Sequence, residues 1–194
     1  MAWTDVNQLL VKEHVGLFKA ASNYDIYDLA SGEKLLECRE PRLGVFTKML
    51  RFTDYKRNTP FDVEVTDMSG NQVVRVTRPI TIFISKVTVR DESDEPIGGF
   101  KQKVFSIGGS FAVHDAAGND VCHLKGKWTG WDFQFVAQGM QLARVTKKWT
   151  GFGKEMFTSA DNYVLDISED VPPESQTRKL ILAAVMCIDK VLKE

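Results

Sequence analysis

The sequence predicts a mainly β protein: an antiparallel barrel of about twelve strands, closed around a hydrophobic C-terminal α-helix. Hairpin-like units, each with two alternating runs and a polar turn, recur from about residue 23 onward. The runs alternate apolar and polar side chains, which places one face of the sheet in a core and the other in water. The chain then ends in an apolar stretch, Leu180 to Ile188, that needs burial on all sides.

Composition and charge narrow the class of protein. The 194 residues are 43% hydrophobic and 26% charged, so we expect one domain over residues 1–194 with residues 174–193 as its central helix. A net charge of −1 argues against a general nucleic-acid binder. Three widely separated cysteines form neither a disulfide framework nor a zinc motif, and the N-terminus lacks a secretory pattern. These features predict a cytoplasmic protein.

Polar turns predict the hairpins in chain order. A weak run from Gln8 to His14 precedes them as a further strand, and Val45 to Leu50 has the spacing of a short helix. Asp and Asn favour such turns because their side chains bond nearby backbone, and Gly accepts a positive φ. The strand at Phe61 and a strand from Trp131 to Ala137 show the clearest alternation. The predicted hairpins are YDLASGEKLL, VTDMSGNQVVRV, VRDESDEPIGG, VHDAAGNDVCHL and VAQGMQLARV.

The terminal apolar stretch is too short to cross a bilayer. Nine helical residues reach about 14 Å, whereas a bilayer core needs about twenty apolar residues. Lys179 and Asp189 flank the stretch, and Pro172, Pro173 and Glu174 mark its start. A barrel of about eight strands is filled by its own side chains, so about twelve strands leave an axial space for this helix.

Several stretches resemble one protein family. The segments RVTKKWTGFGKEMFTSADNYVLDI and VTDMSGNQVVRVTRP and the apolar helix are similar to phospholipid scramblases and to the related Tubby C-terminal-like and LURP-one-related proteins. The likeness runs from about Asn23 to the C-terminus and is strongest at Lys148 to Gly151 and at Phe157 to Asn162. The resemblance implies a twelve-stranded antiparallel barrel around a C-terminal helix.

The resemblance is incomplete at two places that carry family chemistry. The family's cysteine cluster is missing after VTRP, where this chain reads ITIFISKVTV, which argues against an acyl anchor. The family's proposed calcium segment starts here with Ser159 in place of an Asp, and Tyr163, Val164 and Leu165 interrupt the spacing of oxygen ligands. We therefore expect an ordinary strand there and no calcium site.

No other motif predicts catalysis or a cofactor. The hairpin pattern places His114 opposite Val121 and beside His123 on a solvated face, without a third metal ligand. The stretch GFGKE lacks the spacing and the hydroxyl of a phosphate loop, and no nucleophile elbow is present. We expect no metal, no cofactor and no enzymatic activity.

Clustered basic residues predict a surface for anions. Each cation near a membrane contributes about 1 kcal/mol of attraction to anionic lipid. Trp128, Trp131 and Trp149 lie close in sequence and suit a membrane interface. The alternative interpretation is a solvated strand face with tryptophans in the core. The predicted anion-binding residues are Arg39, Arg42, Lys48, Arg51, Lys125, Lys127, Arg144, Lys147 and Lys148.

Three functional hypotheses remain. The first is a non-enzymatic binding module that docks peripherally on anionic phospholipid or phosphoinositide headgroups. The second is a soluble regulatory domain that binds a protein partner and has no lipid role. The third is a phospholipid scramblase, which the missing calcium residues, the missing cysteines and the short helix all weaken. Salt-sensitive binding would distinguish the first from the second.

Overall fold

Twelve antiparallel strands close into one barrel in which strands consecutive in the chain are paired and β1 pairs with β12. The computed structural model describes residues 2–13, 23–40, 60–79, 86–102, 110–127, 131–147 and 162–192. The predicted fold class is confirmed. The elements are β1 (Gln8–Glu13), β2 (Tyr24–Asp28), β3 (Lys34–Arg39), β4 (Phe61–Asp67), β5 (Gln72–Arg78), β6 (Lys86–Arg90), β7 (Pro96–Gln102), β8 (Phe111–Asp115), β9 (Asp120–Lys127), β10 (Asp132–Ala137), β11 (Met140–Thr146), β12 (Asn162–Ile167) and α1 (Gln176–Leu192).

The up-and-down order of the strands gives the barrel two different ends. The five predicted hairpins are confirmed, and their turns, which join β2 to β3, β4 to β5, β6 to β7, β8 to β9 and β10 to β11, all lie at one end. We call this the turn end. We call the other the loop end; there β1 finishes at Glu13 and β2 starts at Tyr24. Helix α1 starts at the turn end, because it follows the last residue of β12.

Three of the turns share one conformation. Asp67, Asp91 and Asp115 each finish or follow a strand, and the Oδ1 atom of each accepts the backbone N–H four residues later, at 2.8–3.1 Å. The residue three positions after each Asp has a positive φ, which glycine adopts without strain. These residues are Gly70 (φ 84°), Asp94 (φ 60°) and Gly118 (φ 88°). The side-chain hydrogen bonds and positive φ angles that the sequence predicts for the turns are therefore present in these three.

Helix α1 fills the inside of the barrel. Every residue from Leu180 to Ile188 is at most 1% exposed, and these residues form one core cluster with inward side chains from all twelve strands. Close approach of a strand requires glycine at Gly98, where an added Cβ would lie 3.1 Å from Leu180 Cδ2 and 2.1 Å from the carbonyl oxygen of His114. The predicted enclosed helix is confirmed.

The helix begins two residues later than predicted, at Gln176 instead of residue 174. Ser175 is the reason, because its Oγ accepts the backbone N–H of Arg178 at 3.3 Å and its carbonyl oxygen accepts the same group at 3.1 Å. Ser175 Oγ also donates to the carbonyl oxygen of Pro172 at 2.8 Å. These bonds hold the proline segment in a turn before the helix.

Arg178 is buried in the first turn of α1 and is 0% exposed. Its Nη2 donates to Asn7 Oδ1 at 2.9 Å and to the carbonyl oxygen of Val6, and its Nη1 donates to the carbonyl oxygen of Val171 at 3.3 Å. Burial lowers the pKa of the guanidinium from its ordinary value. The side chain thus joins the helix to the segments before β1 and after β12.

Two further predictions from the sequence concern a weak strand and a short helix. The weak run at Gln8 is strand β1, which ends at Glu13. The short helix expected from Val45 to Leu50 lies outside the described residues. Within the ranges that the structure describes, no helix is long and apolar enough to cross a bilayer.

Candidate anion-binding surface

The two ends of the barrel differ in charge. Among the described residues, the carboxylates at and near the loop end are those of Glu13, Asp25, Glu37, Glu40, Asp62, Glu64 and Asp132. The cations there are Lys12, Arg39, Arg78, Lys86, Lys101, Lys125, Lys127, Arg144 and Lys147. Acids dominate the turn end: Asp5, Asp28, Glu33, Asp67, Asp91, Glu92, Asp94, Glu95, Asp115, Asp120, Asp166, Glu169, Asp170 and Glu174.

Several further charged residues lie in segments outside the described residues. Between the strands these segments are residues 14–22, 41–59, 80–85, 103–109, 128–130 and 148–161. In sequence they contain more cations than acids. The cations are Lys19, Arg42, Lys48, Arg51, Lys56, Arg57, Lys103, Lys148 and Lys154, and the acids are Asp54, Glu155 and Asp161.

Arg39, the first predicted anion-binding residue, is engaged by carboxylates of its own barrel. Its Nη2 lies 2.6 Å from Asp25 Oδ1 and 3.3 Å from Glu37 Oε2, and its Nη1 donates to the carbonyl oxygen of Tyr24 at 2.6 Å. Lys34 Nζ also contacts Asp25, at 3.0 Å. The charge of Arg39 is therefore largely neutralised in the fold.

Arg144 is paired in the same way. Its Nε and Nη2 donate to the two carboxylate oxygens of Asp132 at 2.8 Å and 2.6 Å, across the β10–β11 pair. The bidentate bond from Asp132 raises the pKa of the Arg144 guanidinium above its ordinary value. A new anion would have to compete with this carboxylate.

Lys147 belongs to an aromatic cluster at the loop end. Its Nζ lies 3.9 Å from the centroid of the Trp131 ring, a cation–π distance. The Trp131 ring stacks on Tyr163 at 6.0 Å and meets Phe133 edge-on at 6.1 Å. The prediction that Trp131 lies in a strand is wrong: it sits in a turn with φ 46°, directly before Asp132 starts β10.

Lys125 is the predicted residue whose cation is most available. It is exposed on the outer wall of β9 and lies opposite Gln134 of β10. No carboxylate of the described chain pairs with it. Lys127 ends β9, but nothing is described of its side chain. The remaining predicted residues, Arg42, Lys48, Arg51 and Lys148, lie outside the described residues.

Two exposed lysines at the loop end were missed from sequence. Lys86 opens β6 and Lys101 lies near the end of β7, and the two are directly opposite each other. Neither has a carboxylate partner within the described ranges. The two lysines are far apart along the chain and lie outside the predicted clusters of basic residues, and the β6–β7 hairpin brings them together. The alternation of side chains with a period of two in both strands of that hairpin could have shown that the two lysines share the outer face.

The prediction for the histidines was wrong at His114. A β-bulge after Val113 shifts the register, so His114 pairs with Asp120 and His123 pairs with Ala112. His114 is only 7% exposed, whereas His123 is half-exposed with its Nε2 3.8 Å from Asp120 Oδ2. Among the residues that the structure describes, no three His, Cys, Asp or Glu side chains form a group that could hold a metal ion.

The stretch compared with the family's calcium segment contains strand β12. Residues Asn162–Ile167 pair with β1 and β11, as the strand interpretation predicted. Tyr163 and Leu165 point into the core. Ser159 and Asp161, the first oxygen donors of that segment, lie outside the described residues.

A depression at the turn end has the opposite character to the basic surface. It has a volume of about 500 Å³. Asp28 at its edge accepts hydrogen bonds from the hydroxyl and backbone N–H of Ser31 and from the N–H of Ala30, and the Ser31 hydroxyl above all lowers the Asp28 pKa. The lining residues are Asp5, Val6, Asn7, Gln8, Asp28, Ala30, Asp166, Ile167, Ser168 and Glu169. This acidic lining disfavours an anion.

The chain belongs to the scramblase family, because the family model described as Scramblase matches residues 6–193. It is 24% identical over 153 residues to phospholipid scramblase 2 of Homo sapiens, covering 71% of this chain and 51% of that protein. It is also 24% identical over 173 residues to altered inheritance rate of mitochondria protein 25 of Saccharomyces cerevisiae, covering 76% and 52%. The chain thus spans about half the length of these relatives.

A solved structure shows the same fold. The X-ray structure of a protein from Arabidopsis thaliana superposes with a TM-score of 0.55 at 17% identity, covering 96% of this chain and 93% of that one. The family resemblance inferred from the sequence is confirmed, and family membership supports a lipid-related role at the level of the family.

Proposed function

We propose that this protein is a non-enzymatic binding module whose barrel docks, loop end first, on anionic phospholipid or phosphoinositide headgroups at a membrane surface. The observation that carries the proposal is the set of exposed cations at the loop end that have no carboxylate partner among the described residues. These cations are Lys86, Lys101 and Lys125. Several such charges together attract the barrel to an anionic membrane, because each contributes about 1 kcal/mol near the surface.

The acidic turn end supports this orientation. Its carboxylates are repelled by anionic lipid, so an approaching barrel is turned with its loop end toward the membrane. The proposed location is cytoplasmic, with peripheral attachment to the membrane.

A protein-interaction or regulatory role is the second candidate. It is favoured by the large hydrophobic side chains exposed at the turn end, Met68 and Met140, each 56% exposed. Side chains of this kind are common at adaptable protein-binding surfaces. The third candidate is movement of phospholipid between leaflets, the activity for which several relatives are named. It is measured separately, as movement of a fluorescent lipid across the bilayer.

Co-sedimentation with liposomes tests the proposal. The full chain is mixed with vesicles of neutral lipid, of neutral lipid with phosphatidylserine, and of neutral lipid with a phosphoinositide, at low salt and at about 0.15 M salt. We expect binding to the anionic vesicles alone, weakened by salt. Absence of binding to every vesicle would favour the protein-interaction role, and transbilayer movement of a fluorescent lipid would favour scramblase activity.

A further inference from the structure

We infer that the lipid-phosphate contacts are made by a lysine face on the outer wall of β6 to β9, formed by Lys86, Lys101 and Lys125; this inference rests on the proposed function. Its ligand is the phosphorylated headgroup of a membrane lipid. Two of these residues were absent from the sequence prediction, and all three are exposed. The docking surface therefore lies on one side of the loop end, along strands β6 to β9.

Three guanidinium groups of the barrel wall are matched with carboxylates on neighbouring strands. Arg75 on β5 bonds both oxygens of Asp62 on β4, at 2.8 Å and 2.7 Å. Arg144 bonds Asp132, and Arg39 bonds Asp25. Each pairing consumes the donors that a phosphate would use. Cations committed in this way make poor docking residues.

The lysine face has no such carboxylate partner among the described residues. Lys86 and Lys101 are direct partners in an antiparallel pair, where Cβ atoms are about 5 Å apart and like charges destabilise the sheet. The next outward residue in the same row is the small Ala112 of β8, followed by His123 of β9. No acidic residue occupies the row between Lys86 and His123. An unrelieved pair of cations is what a bound anion would stabilise.

The spacing of the lysines fits more than one phosphate. Lys86 and Lys101 are close enough to contact the same phosphate group. Lys125 lies on β9, three strands from Lys86, which is about 14 Å across the wall at the usual strand spacing. It therefore contacts a second phosphate or a neighbouring headgroup. Lysine suits this use because its ammonium is a point charge on a flexible stem.

A charge-matched pair of variants tests the lysine face. The double variant Lys86→Gln with Lys101→Gln removes two cations from the face. The control, Arg90→Gln with Lys179→Gln, removes two cations from the turn end and gives the same net charge. Vesicles containing a phosphoinositide, soluble inositol phosphate and inorganic phosphate serve as probes, and the unfolding midpoint without any ligand is measured in parallel.

We expect the face variant to bind the vesicles about 30-fold more weakly than the wild type, because two cations are lost. The affinity of the control for the vesicles should stay within about twofold of the wild type, since salt screens electrostatic attraction beyond about 8 Å. The unfolding midpoint of the face variant should rise, because the like-charge pair is removed, which separates lost binding from misfolding.

The outcomes distinguish this inference from the function on which it rests. If the wild type binds neither the vesicles nor the soluble phosphates, both are wrong. If the wild type binds and the face variant binds as the control does, the lysine face is wrong and the proposed function stands. If soluble inositol phosphate or inorganic phosphate binds at the face while vesicles do not, the lipid source is wrong.

Discussion

Arg178 in the first turn of the central helix donates a hydrogen bond to the side-chain oxygen of Asn7, the residue before β1, at 2.9 Å. The bond links two segments that are far apart in sequence, at the turn end of the barrel. Arg178 has no exposed surface, and its Nε has no hydrogen-bond partner in the described structure. The geometry indicates that this side chain fixes the helix at the depth at which its apolar residues meet the strands.

Replacing Arg178 with Ala should therefore destabilise the fold. The change leaves the carbonyl oxygens of Val6 and Val171 without this donor and opens a cavity, so we expect a loss of about 3 kcal/mol in the free energy of unfolding. Urea denaturation measures it. The control is Lys179→Ala, which breaks an ion pair with the exposed Glu92 and should cost at most about 1 kcal/mol. Equal stability of the two variants would argue against the anchoring role.

The enclosed position of α1 predicts a severe effect of charge in its middle. Leu182 is 0% exposed, and an Asp there would bury a carboxylate with no partner. We expect Leu182→Asp to prevent soluble folding, whereas the volume-conserving Leu182→Met should cost less than about 1.5 kcal/mol. Far-UV circular dichroism and thermal melting of the soluble fractions provide the comparison. A soluble Leu182→Asp protein with a cooperative melt would rule out the enclosed helix.

Equivalent turn positions predict stability changes of opposite sign. Asp94 has φ 60°, a left-handed conformation that costs residues other than glycine about 1 kcal/mol, so Asp94→Gly should stabilise the protein, because the exposed 4.0 Å contact with Arg75 that it removes contributes little. Gly118 has φ 88° with no atom within 4 Å of an added Cβ, so Gly118→Ala should destabilise by about 1 kcal/mol through backbone strain alone. Chemical denaturation of both variants checks the signs. Two changes in the same direction would show that the turns are not equivalent.

The turn carboxylates predict how stability depends on pH. The side-chain hydrogen bond from Asn119 above all holds the pKa of Asp115 below its ordinary value of 3.8, and Asn71 does the same for Asp67. A depressed pKa in the folded state means that the unfolded state takes up protons first as the pH falls. The stabilisation is therefore complete above the ordinary value and is lost as the pH falls through the lower folded value.

The double variant Asn71→Ala with Asn119→Ala tests this pH dependence. The stability difference between wild type and variant should be constant from pH 5 to 7 and should shrink below about pH 4, as both turn carboxylates become protonated. Urea unfolding at a series of pH values gives this difference. A difference that does not change between pH 5 and pH 3 would show that these bonds do not set the pKa values.

Local chemistry explains why so much of the fold could be predicted. Alternation in β4 and β10, together with the Asp and Gly residues of the turns, specifies hairpins from nearest neighbours in sequence. The length and apolarity of Leu180 to Ile188 then exclude both a bilayer span and a solvated face. Each of these inferences needs only residues close together in the chain.

The features that could not be predicted depend on residues far apart in sequence. His114 is buried against Gly99 of β7, and a bulge after Val113 changes the residue with which it pairs. Burial of Arg178 follows from acceptors contributed by Asn7 and Val171, and a lone arginine in sequence predicts a solvated side chain. The pairing of Lys86 with Lys101 depends on the register of β6 and β7.

The orientation of the barrel on a membrane tests the central claim most directly. The native thiols Cys38, Cys122 and Cys187 are buried, and burial raises the pKa of Cys122 to about 12, so an introduced exposed cysteine can be labelled selectively. A nitroxide is placed at Gln134→Cys, opposite Lys125 on the loop-end half of the wall, or at Met68→Cys in a turn.

On phosphoinositide vesicles we expect the Gln134→Cys label to lose accessibility to a water-soluble relaxation agent, while the Met68→Cys label keeps it. Neutral vesicles should change neither label. Protection of the Met68→Cys label with an unchanged Gln134→Cys label would contradict docking by the loop end.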